Sequence, residues 1–151
     1  MTFTLRALTP ADAPAAAALH ALAFPDPWSA PVLAAWFADP AAVTLARFES
    51  EALVTFVLLN TVLGEADILT LATDPARRNQ GFARDLLTAL IETLTARGVH
   101  RLTLDVAEDN LPARRLYERL GFTLDGRRKS YYAAGRLQPV DALLMSKRLS
   151  G

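Results

Sequence analysis

Apolar residues recur along this chain in two rhythms, one alternating and one helical, and the switches between them divide it into elements. Phe3, Leu5 and Ala7 alternate with polar or small neighbours and predict a half-buried first strand. Thr9, Pro10 and Asp12 supply a cap, a first-turn proline and an early acid, predicting a helix through the alanine-rich stretch to about Phe24. Pro25 and Pro27 end it, Ser29 is placed to cap a short second helix with Trp36 and Phe37 near its end, and Asp39 and Pro40 close that segment. Strand-like runs follow at residues 43–48, 52–59 and 65–72, with turns at 49–51 and near Gly64, which suggests an antiparallel meander.

Beyond residue 72 the rhythm turns helical. Phe82, Leu86, Leu87, Leu90, Ile91 and Leu94 share one face, and Gly98 is placed to end that helix. Residues 101–106 form a short strand, so strand, helix and strand predict a crossover with a parallel pair between residues 68–72 and 102–106. Asn110 can cap the next helix, Pro112 fits its first turn, and Leu116, Tyr117 and Leu120 follow until Gly121. Two last strands, at about 122–131 and 140–147, flank a turn at Ala134 and Gly135. The order is β-α-α-β-β-β-α-β-α-β-β, an α/β chain with a mixed (α+β) sheet, and no repeat or linker divides residues 1–151 into more than one expected domain.

Composition narrows the function. With 52% hydrophobic residues, 151 residues suffice for one real core and are too few for two ordinary domains. Sixteen basic and sixteen acidic side chains cancel, so no global field draws in nucleic acid or an anionic membrane, and any basic patch must be local, as around residues 77–84 and 127–129. The absence of cysteine removes disulfides, a thiolate nucleophile and cysteine zinc sites, and fits a reducing cytoplasm. His20 and His100 stand alone without metal spacing, so no metal is expected. No secretory leader or membrane-length apolar run appears, and a soluble cytoplasmic protein is expected.

The densest chemistry lies at residues 74–87, DPARRNQGFARDLL, where an apolar strand gives way to a turn that opens an apolar helix. Gly81 lets backbone approach an anion, and the first free N–H groups of the helix, at its positive dipole end, favour negative charge. Arg77, Arg78 and Arg84 add charge around the same turn. The spacing is neither a Walker loop, since no Gly-Lys-Ser/Thr follows, nor G-x-G-x-x-G, since only one glycine is present.

Arg78-Asn79-Gln80-Gly81-Phe82-Ala83 resembles the R/Q-x-x-G-x-G/A motif of the GNAT superfamily of acyl-CoA-dependent N-acetyltransferases. A second block, LDVAEDNLPARRLYERLGF at residues 104–122, resembles the rest of that family's cofactor site: an L-E/D-V strand, then N-x-x-A-x-x-L-Y-x-x-x-G-F. Similarity at residues 23–29, 127–132 and 141–145 narrows the likeness to the ribosomal-protein alanine N-acetyltransferases, the RimI type, over nearly the whole chain. The resemblance implies the GNAT fold, a sheet splayed between its fourth and fifth strands with acetyl-CoA in the wedge.

Site residues follow from the same resemblance. The CoA pyrophosphate is expected on the backbone of Asn79, Gln80, Gly81, Phe82, Ala83 and Arg84, with Arg78 and Arg84 as charge partners, and the pantetheine arm against Leu71, Ala72 and Thr73 and near Asn110, which is also an adequate helix cap. Tyr117 aligns with the tyrosine that protonates the departing thiolate. Phenol and thiol have neighbouring reference pKa values, roughly 10 and 8.5, so the transfer is feasible. Asp105 stands where the family carries a glutamate as general base; being a methylene shorter, it leaves Glu65 and Asp67 on the preceding strand as alternatives. Phe24, Trp28, Glu65, Tyr131 and Tyr132 are the expected acceptor-side residues. The expected acceptor is a peptide or protein N-terminal amine, a ribosomal protein by analogy, with no nucleic acid or membrane partner; oligomeric state stays open. A small-molecule amine or lysine acceptor, or a non-catalytic CoA-binding sensor, are the alternatives, because cofactor motifs say little about the acceptor.

Overall fold

The computed structural model describes residues 2–149. Its strands are β1 (Phe3–Arg6), β2 (Ala42–Glu49), β3 (Ala52–Val62), β4 (Glu65–Thr73), β5 (Arg101–Ala107), β6 (Thr123–Tyr132) and β7 (Val140–Arg148). The helices are α1 (Ala13–Ala23), α2 (Ala30–Ala38), α3 (Phe82–Ala96) and α4 (Leu111–Arg119). The predicted order of elements holds. One sheet runs β1-β2-β3-β4-β5-β7-β6, antiparallel everywhere except between β4 and β5, which α3 connects as a parallel crossover.

Local chemistry sets the helix ends. Ser29 Oγ accepts from the Val32 N–H at 3.4 Å, a cap worth about 1 kcal/mol. At Thr9 the helix begins instead as a single 3-10 turn (Pro10–Asp12), because the Asp12 carboxylate takes the Thr9 N–H at 2.8 Å and two guanidinium bonds from Arg6 at 3.0 Å. Those bonds, the Arg6 pair foremost, hold the Asp12 carboxyl down at about 2. Both α3 and α4 end in the same left-handed glycine motif. Val99 N–H bonds Leu94 O and Gly98 N–H bonds Thr95 O; in α4, Phe122 N–H bonds Tyr117 O and Gly121 N–H bonds Glu118 O. The second motif turns Phe122 back onto Tyr117, with ring centroids 5.5 Å apart.

Two apolar layers sandwich the sheet. On one face α3 and α4 close over Val57, Leu59, Ala66, Ile68, Leu102, Leu104 and Val106, with Leu86, Leu87, Leu90 and Leu94 supplied by α3. On the other, Leu19 and Leu33 from α1 and α2 cover Ala46, Phe56, Leu58 and Ala72. The alternation along β4 slips once: Leu59 pairs with Ile68 but Leu58 with Thr70, so Leu69 is the extra residue of a bulge.

Two expectations are corrected. The first strand is not half-buried: Phe3 and Leu5 are 52% and 40% exposed, since β1 is an edge strand paired only with β2. The buried residue of that segment is Leu8, which joins the α1–α2 layer. The parallel pair lies earlier than expected, joining Glu65–Ile68 to Arg101–Leu104, because the bulge at Leu69 turns β4 away from β5 where pairing was predicted.

Candidate active site

The shortened ladder creates the site. Past Ile68 and Leu104 no pairing joins β4 to β5, although β4 continues to Thr73 and β5 to Ala107. Residues 69–73 thus carry a strand edge facing a wedge in the middle of the sheet, while their other edge stays paired with β3 through Thr55↔Thr73 and Val57↔Leu71. Thr55 Oγ1 donates to the Ala72 carbonyl at 2.8 Å and lies 3.0 Å from Thr73 Oγ1, bracing this stretch from behind.

One end of the wedge is electropositive. Helix α3 starts at Gly81, left-handed at φ 78°, with no side chain capping its first N–H groups. A Cβ at Gly81 would meet nothing within 4 Å, so the space before the helix is open. Asn79 is also left-handed (φ 63°), and Arg78, Asn79, Gln80 and Arg84 are exposed around the turn. Among the described residues Arg78 and Arg84 form no ion pair; Arg77 is committed elsewhere. Its guanidinium and that of Arg47 both bond Glu49, which is 7% exposed and whose carboxyl they hold below the usual range, Arg77 most strongly. Arg47 also lies 4.2 Å from the Phe82 ring and Arg77 5.1 Å, so the first residue of α3 is pinned to the end of β2. An uncapped helix start, open space at a left-handed glycine and a free strand edge together fit an extended ligand ending in an anion.

The acid–base groups gather at the other side of the split. Asp105 is the first β5 residue past the ladder, with a side chain 34% exposed. Burial pushes its carboxyl above the usual range, Arg128 Nε at 4.0 Å opposes that, and the charge of Asp67 adds to it. A cleft of about 350 Å³ there is lined by Asp67, Arg101, Thr103, Asp105, Asp125 and Arg128, among others. Asp67 accepts from Thr103 Oγ1 at 2.7 Å, and Glu65 is paired with Arg101 at 3.2 Å and does not line the cleft. Tyr117 is buried, which pushes its phenol well up, with Tyr132 adding to the effect. Tyr132 is raised to about 12, first by burial and then by the charge of Asp105. Tyr132 therefore stands in one electrostatic neighbourhood with both Asp105 and Tyr117. A carboxylate whose affinity for protons is enhanced and a phenol that stays protonated can serve as acceptor and donor of a proton.

Two segments distant in sequence meet beside the hairpin that carries Tyr132. Pro25, between α1 and α2, lies so close to Gly135, in the β6–β7 turn, that a Cβ there would stand 3.0 Å from the proline ring. Tyr131 and Tyr132 pack edge to face at 5.1 Å on the same hairpin. Phe24 and Trp28 both face His20, with ring centroids 4.4 and 5.4 Å from the imidazole.

The acetyltransferase (GNAT) family model matches residues 13–122. The alanine N-acetyltransferase of ribosomal protein bS18 from Escherichia coli is 34% identical over 152 residues, covering 97% of this chain and 98% of the relative. The chain belongs to the GNAT acetyltransferase family. The counterpart from Haemophilus ducreyi is 44% identical over 98 residues, 65% of this chain and 68% of that protein. A crystal structure of the ribosomal-protein-S18-alanine N-acetyltransferase from E. coli superposes with a TM-score of 0.93 at 32% identity, over 99% of this chain and 96% of that one. This GNAT chain is accordingly an acyltransferase with the GNAT fold.

Within that fold the sequence-predicted residues fall into three groups. Leu71, Ala72, Thr73 and residues 78–84 line the free strand edge and the uncapped helix start. Asp105, Tyr117 and Tyr132 share one neighbourhood. Asn110 is a helix cap, its Oδ1 accepting from Ala113 N–H at 3.3 Å, and Glu65 lies at the closed end of the ladder. The expected basic patch at residues 127–129 is dispersed: Arg127 pairs with Glu108 and Asp141, while Arg128 faces Asp105. Missed in the sequence were His20, buried at 3% exposure, and Glu49, the acid between two arginines. An isolated His and an acid at a strand end carry no signal; only their distant partners give them meaning.

Proposed function

We propose that this chain transfers the acetyl group of acetyl-CoA to the α-amine at a protein N-terminus, the alanine of a ribosomal protein being the favoured acceptor, and that it does so in the cytoplasm. The observation that carries the reading is that Asp105, the first β5 residue past the ladder, and Tyr117 both lie close enough to Tyr132 to shift protonation, while the hairpin that carries Tyr132 meets the loop after α1 at Pro25 and Gly135. Relatives matched along almost the whole chain, acceptor side included, support the acceptor class.

Acetyl-CoA supplies the activated acyl group and a thiolate leaving group. The backbone N–H groups at the start of α3, with Arg78 and Arg84, hold its pyrophosphate, and the free edge of residues 69–73 aligns its extended arm. Asp105 binds the incoming ammonium and takes its proton, directly or through one water; an α-amine with a reference pKa near 8 is mostly protonated at neutral pH, so this step is needed. The raised carboxyl suits it as a base. Tyr117, kept protonated by burial, gives its proton to the leaving sulfur. Asp67 and Asp125 are the other acids of the cleft, but Asp67 is already engaged by Thr103 and Asp125 by Arg101.

The decisive experiment measures CoA release from acetyl-CoA with a peptide panel varying residue one, beside free lysine and spermidine, for wild type and Asp105→Ala. Release that depends on an Ala-initiated peptide and on Asp105 supports the proposal. Release only with small amines overturns the acceptor, and acetyl-CoA binding without release would make the chain a sensor.

A further inference from the structure

His20 is the one buried histidine of the described chain, and both of its ring nitrogens are occupied. Nδ1 lies 3.1 Å from the backbone N–H of Trp28, a group that can only donate, so Nδ1 must be unprotonated. Nε2 therefore carries the hydrogen and donates to Thr70 Oγ1 at 2.9 Å. The geometry fixes one neutral tautomer. It also joins three elements: α1, which carries the ring; the loop after it, through Trp28; and β4, through Thr70, immediately past the bulge at Leu69 and beside the free edge.

We infer that neutral His20 is the positioning residue that sets the loop of residues 24–28 over the acceptor opening, tying it to the strand against which the acyl donor lies. This rests on the acceptor reading above. Without the imidazole acceptor, the Trp28 N–H loses the partner that fixes it, and the loop where Pro25 meets Gly135 is left with the bond from Phe24 N–H to the His20 carbonyl and with the apolar packing of Phe24 and Trp28. Protonation does the same, since an imidazolium has an N–H where an acceptor is required. The groups facing the ring are Phe24 and Trp28 from the loop, Phe56 from β3 and Thr70 from β4. None is charged, and Asp26, the loop's acid, is exposed, so nothing offsets a buried imidazolium; burial alone moves this histidine below its ordinary range.

Two substitutions separate the two bonds. The amide oxygen of His20→Asn takes the place of Nδ1 and keeps the Trp28 bond, whereas the amide of His20→Gln takes the place of Nε2 and keeps only Thr70. With acetyl-CoA and an Ala-initiated peptide, His20→Gln should raise the peptide KM about tenfold and leave acetyl-CoA affinity unchanged, and His20→Asn should stay within about threefold of wild type. The wild-type peptide KM should rise as pH falls below the ordinary histidine range, and rise more than in His20→Asn, where the Asp105 carboxylate still titrates but no imidazole does. Equal losses in both variants, shared between peptide and acetyl-CoA, would make His20 a packing residue and overturn the inference. Independent of turnover, Trp28 emission in a Trp36→Phe background should titrate with one acidic transition that His20→Asn abolishes. Peptide inactivity of wild type with that transition present would refute the acceptor reading alone; an absent transition would refute the His20 tie.

Discussion

The donor half and the acceptor half of the wedge are built from different materials. The donor half is backbone: a free strand edge at residues 69–73, then an uncapped helix start at a left-handed glycine, all within one continuous segment. The acceptor half is side chains brought from α1, β5, α4 and the β6–β7 hairpin, tied by single contacts such as Pro25 on Gly135 and Arg128 on Asp105. A backbone site needs a particular conformation more than particular side chains, so it tolerates substitution except at glycine. A side-chain site depends on each member and on what positions it.

The sharpest break between the halves is Gly81→Val. A β-branched residue at φ 78° is strained by about 1–3 kcal/mol and fills the space before α3. Acetyl-CoA binding should fall below measurement by titration calorimetry; unchanged affinity would mean the anion does not sit there. Next, Tyr117→Phe should lower kcat about thousandfold while acetyl-CoA Kd stays the same, general acid catalysis being worth roughly 10²–10⁴. Equal losses in both would mean the ring only packs on Phe122. Glu49→Gln tests the donor half through its support: releasing Arg77 and Arg47 frees Phe82, and KM for acetyl-CoA should rise about tenfold with the peptide KM unmoved.

The smallest effect is a shift in pH. The Asp105 carboxyl stands above the usual range and must lose its proton to act, so activity falls as pH drops through that raised value. Arg128 is the cation that holds it down, so Arg128→Gln should move the acidic limb of kcat/KM to higher pH by less than about one unit. A limb that moves down, or stays, would take the role of base away from Asp105.

The contrast also explains what could be read from the chain. The turn at Gly81, the apolar face of α3 and the glycine that ends α4 lie within local segments whose spacing is fixed by one helix or one turn, so their places in the fold were legible. Tyr117 gains its place from a cap four and five residues away, Gly121 and Phe122, which is local too. His20, Glu49 and Arg128 become meaningful only through Thr70, Arg77 and Asp105, separated by tens of residues, and no periodicity encodes such pairings. The bulge at Leu69 was hidden for a related reason: it shows as a register slip against β3, not as a breaker in β4, and it displaced the predicted parallel pair.

The four-residue β4–β5 ladder leaves a strand edge unpaired in the interior of a sheet, where edges are normally closed. A ligand that supplies the missing strand does more than react: it completes the fold. By linkage, saturation at a hundred times its Kd adds about 2.7 kcal/mol to the free energy of unfolding, and in a protein of this size each such kcal/mol raises the melting temperature by about 2–4 °C. The lifetime of this enzyme should therefore track the supply of its acyl donor, so that a starved cell, short of acetyl-CoA, holds not only an idle catalyst but a more perishable one.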